Sequence, residues 1–254
     1  MTEQMMTSAP MTMTEPATVR VPFTRLSGLM LLGWCEGPNR GSGLLDWWLS
    51  IQRARIAWKH LPPSVRTGRI LDIGCGRSAW FLQTIDATEK IGLEPLCSDD
   101  EYVATRDGVS HRMRLLPFDV TKEPLQFESN WFDVVVALAV IEHVPAASAV
   151  RLLQEIHRVL KPGGSCVVTT PAHGTEIILH TIAKLRLASH EEIEEHHQQF
   201  TPRQLRALFL KAGFEDRDII QGRFELGMNL WLRANKAAHG QAAAGRGDSH
   251  NTGT

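Results

Sequence analysis

This sequence has no closely spaced cysteine pair, a net charge near zero and no long apolar run, and each of these properties disfavours a class of protein. The 254 residues include four cysteines, none of them in a Cys-x-x-Cys pair. A zinc site built on cysteine pairs and a disulfide framework are therefore not expected, and the reducing cytoplasm is the expected location. A formal net charge of −1 disfavours a protein that is held on nucleic acid mainly through phosphate groups.

No segment has the character of a membrane span or a secretory leader. The apolar cluster at 29–34 is far too short to cross a bilayer. The first residues, MTEQMMTSAPMTMTEP, lack the basic stretch followed by an apolar stretch that a secretory signal requires. We therefore expect a soluble intracellular globular protein without a membrane span.

Strands and helices alternate between two polar ends of the chain. Residues 1–18 and 237–254 have no apolar periodicity, and we expect both to be disordered tails. The alternation predicts an α/β protein with a mostly parallel sheet, in which 132–138 (FDVVVAL) is a central strand covered on both faces. The last two strands, near 217–225 and 227–235, predict an antiparallel hairpin in which Asn229 and Trp231 serve packing and edge pairing.

An amino-terminal helix precedes the first strand. Apolar side chains recur at helical spacing from Leu44 through Trp48 and Ile51 to Trp58, and two prolines end the helix at 62–63. That spacing predicts which face of the helix is buried. The tryptophans are either core anchors or the aromatic wall of a binding pocket, and we expect at least one of Trp47, Trp48 and Trp58 to face the pocket.

The most informative segment is a glycine-rich turn at 69–80, RILDIGCGRSAW. Gly74, Gly76 and Ala79 form a G-x-G-x-x-A pattern directly after a predicted strand and before a predicted helix. In that position the glycines let the backbone approach a nucleotide at a helix amino terminus. Glu94 stands 20 positions after Gly74, where a carboxylate binds ribose hydroxyls. A dinucleotide and S-adenosylmethionine both satisfy this pattern.

Charge distinguishes the two ligands. Acidic residues stand at what we expect to be successive strand ends, Asp72, Glu94, Asp119 and Glu142. Ligands bind at those ends in a doubly wound sheet. Unit charges about 4 Å apart interact by about 4 kcal/mol at an effective dielectric of about 20, so an acidic rim opposes a pyrophosphate and favours a sulfonium and an ammonium. The alternative is that each acid is a solvated turn or cap residue.

Four segments taken in order carry a family resemblance. ILDIGCG, GLEP, FDVTKEPLQFESNWFDVVVALAVIEHV and LLQEIHRVLKPGGSCVVTTP resemble the class I S-adenosylmethionine-dependent methyltransferases, in particular the small-molecule branch that includes quinone and sugar methyltransferases. The resemblance implies a doubly wound, Rossmann-like, mostly parallel seven-stranded sheet with an antiparallel terminal strand and helices on both faces. It also implies a methyltransferase domain at 66–236, preceded by a helical extension or cap at 19–65 and interrupted by a lid insertion at about 174–200.

The same resemblance assigns S-adenosylmethionine as the cofactor and implies which residues bind it. Asp72, Gly74 and Gly76 match the turn around the methionine moiety, and Glu94 matches the acid on the ribose. The remaining matches are Asp119 and Val120 beside the adenine, and Leu138 and Ala139 along the methionine end. One departure concerns the path of the loop, because Ser78 stands where many relatives have a third glycine.

Two histidines are candidate catalytic bases. His143 follows Glu142 in the Glu-His-Val segment after the fourth predicted parallel strand, on the expected acceptor side. Histidine suits proton removal near neutral pH, although a role in packing or capping a helix start is the alternative. His196 matches a histidine that relatives often carry four positions before a phenylalanine. No metal site is expected, since the acidic run at 191–195 is typical of a solvated helix face.

These observations predict a methyltransferase that acts on an oxygen, nitrogen or carbon atom of a small-molecule acceptor. A nucleic-acid substrate is not expected, because no Asn/Asp-Pro-Pro-aromatic tetrapeptide follows the fourth predicted strand and the charge is balanced. Two alternatives stay open: a partner or sensor that binds the cofactor without catalysis, and an NAD-dependent oxidoreductase. The sequence does not distinguish a monomer from a homodimer.

Overall fold

Short apolar runs separated by helices form the strands of one mixed sheet. The computed structural model describes residues 44–106, 109–174 and 198–238. In these ranges the sheet has eight strands, in the spatial order β3-β4-β2-β1-β5-β6-β8-β7. Their bounds are β1 Arg69–Ile73, β2 Glu89–Leu93, β3 Asp100–Arg106, β4 Val109–Leu116, β5 Phe132–Leu138, β6 Leu160–Pro171, β7 Ile219–Phe224 and β8 Asn229–Asn235.

The central strands run parallel, so their carboxyl ends meet at one edge. β1 pairs in parallel with both β2 and β5, β2 pairs with β4, and β5 pairs with β6. The expected mostly parallel Rossmann-like sheet is confirmed. The strand that the sequence did not predict is β3, which runs antiparallel to β4. The sequence of β3, DEYVATR, has no long continuous apolar run, which is the feature that predicted the other strands.

The last strand lies inside the sheet. β8 pairs antiparallel with β6 on one side and with β7 on the other. The predicted hairpin between β7 and β8 is present, but the expectation that Asn229 and Trp231 serve edge pairing was wrong. The two strands of the hairpin have similar lengths, so the sequence does not indicate which of them pairs with β6.

Helices cover both faces of the sheet, as the sequence predicted. The α-helices within the described ranges are α1 Leu44–His60, α2 Trp80–Thr84, α3 Ala146–Val159 and α4 Pro202–Lys211. On one face, side chains of α3 and α4 such as Ile156 and Phe209 share a core with Val135. On the other face, side chains of α1 and α2 such as Ala57 and Leu82 pack with Val134. Burial on both faces explains why β5 is almost continuously apolar.

The buried face of α1 differs from the predicted one. Leu49, Ala54 and Ala57 are buried, whereas Trp48 is 43% exposed and Trp58 is 36% exposed. Small alanine side chains let the helix approach the sheet closely, and the larger tryptophans then lie at its flank. The spacing of the large apolar residues therefore predicted the helix correctly, but it predicted the wrong face to be buried.

A capping box fixes the start of α4, and its removal gives a measurable loss of stability. The Thr201 hydroxyl accepts a hydrogen bond from the Gln204 N–H (3.3 Å), and the Gln204 side chain accepts one from the Thr201 N–H (2.8 Å). We expect Thr201→Ala to lower the free energy of unfolding by about 1 kcal/mol in urea titrations. Thr201→Ser keeps the hydroxyl and should lose much less; equal losses in both variants would contradict the role of the cap.

Candidate functional site

The glycine turn after β1 has a backbone that only glycine adopts easily. Gly74 has φ +70° and Gly76 has φ +67°, both in the left-handed region. A Cβ on Gly74 would lie 2.5 Å from Cγ2 of Val140, in the segment that follows β5. The N–H groups of Gly74 and Cys75 donate to the Leu93 carbonyl at 2.8 and 3.2 Å. The turn is thus anchored to the end of β2 and packed against the end of β5.

An open cleft of about 420 Å³ lies at the carboxyl ends of β1 and β5. The turn forms its floor, and α1 and α2 form its walls. The cleft is lined by Ser50, Arg53, Ala54, Asp72, Gly74, Cys75, Trp80, Phe81 and Leu138. Three residues assigned to cofactor binding, Asp72, Gly74 and Leu138, therefore share one concave surface, at the edge where doubly wound sheets bind ligands.

Two acids lie close together at the glycine turn. Asp72 is 2% exposed. Its burial, together with the charge of Glu94, holds the pKa of the Asp72 carboxyl well above its usual range. Burial and the charges of Asp72 and Glu94 also raise the pKa of the Cys75 thiol, which is therefore neutral at physiological pH. A cation bound beside these two carboxyls would favour their ionised forms.

The other two predicted acids have different surroundings. The Asp119 carboxylate accepts hydrogen bonds from the Thr121 hydroxyl (2.6 Å) and N–H (3.0 Å) and pairs with Lys122. These contacts, the Thr121 hydroxyl first, lower the pKa of Asp119. Glu142 is fully buried, and neither of its carboxylate oxygens has a hydrogen-bond partner among the described residues. Of the four predicted acids, Asp72 is the one among the described residues that line the cleft, and the assignment of Asp119 to the adenine stays a prediction.

The segment after β5 turns sharply beside the cleft. Leu138 lines the cleft, and Ala139 follows it with φ +57°. The Ala139 N–H donates to the Thr169 carbonyl at 3.0 Å and to the Thr169 hydroxyl at 3.2 Å, which holds this left-handed position. Val120, the predicted neighbour of the adenine, lies half-buried against the core on the α3 and α4 face.

Of the two candidate bases, His143 lies within the described residues and His196 does not. His143 is half-buried in a short 3-10 turn, Ile141–His143, and is not among the described residues that line the cleft. His196 and most of the predicted insertion, residues 175–197, lie outside the described residues. Both histidines remain predictions.

Sequence reasoning did not predict six of the residues that line the cleft, which are Ser50, Arg53, Ala54, Cys75, Trp80 and Phe81. Trp80 follows the glycine turn directly, and its ring lies 6.0 Å from that of Trp58. Trp58 donates from Nε1 to the Thr84 hydroxyl at 3.2 Å and packs behind the wall. The expected aromatic wall therefore comes from α2, with Trp58 as its support, while the side chain of Trp47 lies outside the described residues. No periodic pattern distinguished Arg53 from the exposed arginine two positions later.

Two further properties concern the described part of the chain. It contains no group of three or more His, Cys, Asp or Glu side chains arranged to hold a metal ion. None of its helices is both long enough and apolar enough to cross a bilayer.

The buried carboxyl of Asp72 makes stability depend on pH. Because its pKa is raised in the folded state, ionisation destabilises the fold as pH rises above the ordinary aspartate range. We expect Asp72→Asn to raise the melting temperature of the ligand-free protein at pH 8, and the gain to shrink toward pH 4. Differential scanning calorimetry at several pH values measures this. Asp86→Asn, at an exposed acid, is the control, and a D72N effect that is the same at pH 4 and pH 8 would refute the assignment.

Comparison with known proteins gives consistent matches. A family model described as a methyltransferase domain matches residues 51–219. A demethylmenaquinone methyltransferase of Staphylococcus epidermidis is 26% identical over 218 residues, covering 76% of this chain and 88% of the relative. A sterol 4-C-methyltransferase of Caenorhabditis elegans is 32% identical over 102 residues, which are 39% of this chain and only 29% of that relative. The solved structure of an S-adenosylmethionine-dependent methyltransferase from Archaeoglobus fulgidus shares the fold, with a TM-score of 0.53, 16% identity and coverage of 74% of this chain and 94% of that one.

Proposed function

The chain belongs to the methyltransferase-domain family, among the class I S-adenosylmethionine-dependent enzymes, and we propose that it methylates an oxygen, nitrogen or carbon atom of a small-molecule acceptor. The observation that carries this proposal is the position of Asp72, which lines the cleft beside a left-handed glycine turn. The charge of Glu94 acts on Asp72, so the two acids lie near each other, and such a pair suits a cationic nucleoside and opposes a pyrophosphate. The NAD-dependent alternative is correspondingly disfavoured.

The residues of the turn fit the cofactor. Burial and the charge of Glu94 raise the pKa of Asp72, and the cationic methionine end of S-adenosylmethionine would favour the ionised form of that carboxyl. We assign Asp72, Gly74, Gly76, Leu138 and Ala139 to the methionine end, Glu94 to the ribose hydroxyls, and Asp119 and Val120 to the adenine. The bound cofactor contributes an electrophilic methyl group on a sulfonium.

The chain contributes alignment and, where the acceptor keeps its proton, a base. Trp80 and Phe81 form an apolar wall of the cleft, against which the reacting groups can be aligned. We propose His143 as the residue that takes the proton, with His196 of the insertion as the second candidate. α1 belongs to the proposed extension at 19–65, which forms one wall of the cleft of the proposed domain at 66–236.

The formal charge and the free thiols support a small-molecule acceptor and a location in the cytoplasm. A formal net charge of −1 supports a small molecule rather than a nucleic acid, and the quinone and sterol relatives carry small-molecule acceptors in their names. Cys75, Cys97 and Cys166 are free thiols, which supports a location in the cytoplasm.

Cofactor binding is tested through Glu94. We expect S-adenosylmethionine and S-adenosylhomocysteine to raise the melting temperature of the wild type, and NAD and NADP to leave it unchanged. Glu94→Ala removes the proposed acceptor of two ribose hydrogen bonds and should raise the calorimetric Kd for S-adenosylhomocysteine by about tenfold or more. Glu128→Ala, at an exposed acid, is the matched control. Stabilisation by NAD but by neither adenosyl compound would refute the proposed function.

The acceptor is sought by transfer of a labelled methyl group to a panel of phenols, quinones, sugars and lipids, with tRNA as a separate arm. Label in a small molecule is the expected outcome. Label in tRNA alone would overturn the proposed acceptor class, and cofactor binding without transfer to any compound would favour the non-catalytic partner or sensor.

His143 is tested with whichever acceptor the panel identifies. If His143 takes the acceptor proton, His143→Gln should lower kcat by about 10²- to 10⁴-fold and leave the Kd for S-adenosylhomocysteine unchanged. The control is His111→Gln; the ring nitrogen Nδ1 of His111 contacts the Ala87 carbonyl at 2.8 Å, on β4 and outside the cleft lining. An unchanged kcat in H143Q would remove His143 from the mechanism.

A further inference from the structure

A second polar group faces α1 from the turn between β7 and β8. Glu225 begins this turn, and Asn229 begins β8. Asn229 pairs with Phe224 at the end of β7 and with Pro171 at the end of β6. Because β6 is parallel to the central strands, this turn lies at the same edge of the sheet as the cleft. Arg53 of α1 connects the two regions, since it lines the cleft and its charge acts on Glu225.

The backbone of the turn is held in an unfavourable conformation. Glu225 and Leu226 have φ +52° and +55°, followed by Gly227 at +89°. Left-handed conformations of residues other than glycine cost about 1 kcal/mol or more each and persist where the surrounding structure imposes them. Leu226 is fully exposed, so packing of its side chain does not explain the strain. The strained turn does place the Glu225 carboxyl beside Asn229.

Several polar atoms of this group are buried without a partner. Glu225 Oε2 accepts a hydrogen bond from Asn229 Nδ2. Glu225 Oε1, Asn229 Oδ1 and Arg53 Nε are buried and have no hydrogen-bond partner among the described residues. Asn229 itself is 6% exposed. Buried polar atoms are nearly always paired in native proteins, so three unpaired atoms in one group indicate a role other than stabilising the fold.

The attraction between Arg53 and Glu225 does not by itself explain how this polar group is arranged. Arg53 forms no ion pair in the described part of the chain, although its charge acts favourably on Glu225. Burial outweighs that attraction and raises the pKa of Glu225 to about 7. The other charged side chain of the turn, Arg223, is directed to the Gly227 carbonyl at 3.1 Å. A purely structural pair would be joined directly, as Lys161 is to Asp133 at 2.7 Å.

We propose that Arg53, Glu225 and Asn229 form the subsite that binds the polar end of the methyl acceptor. The subsite offers two acceptor atoms and one donor. It therefore suits a small molecule in which a hydroxyl, donating to Glu225 or Asn229, stands beside a second oxygen that accepts from Arg53. This assignment rests on the proposed function, and it specifies the acceptor class as a compound with neighbouring oxygens.

The experiment uses the full chain saturated with S-adenosylhomocysteine and a matched pair of probes. Catechol has two neighbouring hydroxyls, and 1,2-dimethoxybenzene has the same oxygens without the donating hydrogens. We expect calorimetry or ligand-observed NMR to show at least tenfold tighter binding of catechol. Glu225→Gln and Arg53→Gln should each remove most of that preference. Arg55→Gln, at the exposed arginine on the same helix, should keep it.

The two variants also separate binding from folding. Glu225→Gln keeps an oxygen for Asn229 and removes a buried charge, so its melting temperature at pH 8 should equal or exceed that of the wild type, with a smaller difference at pH 5. Arg53→Gln serves as the second readout if E225Q does not fold. Failure of the wild type to bind S-adenosylhomocysteine would refute the proposed function. Normal cofactor binding without preference for catechol, or a preference that survives in both E225Q and R53Q, would refute the subsite alone.

Discussion

The close approach of the glycine turn to the segment after β5 is the constraint on which the rest of the site depends. Gly74 leaves no room for a Cβ beside Val140, and its N–H reaches the end of β2. This contact brings the ends of three central strands together. Asp72 and Leu138 face one cleft because their strands end against each other, and Glu94 lies close enough to affect the charge of Asp72. A bulkier turn would separate the cleft into unrelated loops.

Apolar runs and glycine chemistry made the central strands and the turn after β1 predictable. Runs such as 132–138 predicted the parallel strands, and the pattern of Gly74 and Gly76 predicted a turn of close backbone approach directly after β1. The parts that sequence did not predict depend on tertiary contacts. β3 contains too few apolar residues to be recognised as a strand from its sequence. The buried face of α1 includes the small residues Ala54 and Ala57, which the spacing of large apolar residues does not reveal. Arg53 lines the cleft because of the position of α1 on the sheet, which is a tertiary contact.

The molecule keeps several polar groups in places where they reduce the stability of the fold. Asp72 is buried beside another acid, Glu142 is buried without a partner among the described residues, and Glu225 stands in a strained turn. These three groups lie at the edge of the sheet where the central strands end, whereas the ion pair of Arg69 with Glu89 stands at the opposite end. A separation of this kind is what selection for function rather than for stability leaves in a protein.

The interior position of β8 makes the sheet depend on contacts between distant parts of the chain. β1, β2, β5 and β6 lie between residues 69 and 171 and pair in a row around the glycine turn. β8 inserts antiparallel between β6 and β7, and among the described strands β7 pairs with β8 alone. The turn that carries Glu225 and Asn229 is therefore attached to the sheet through β8. Pairings of such long sequence separation are typical of topologies that fold slowly.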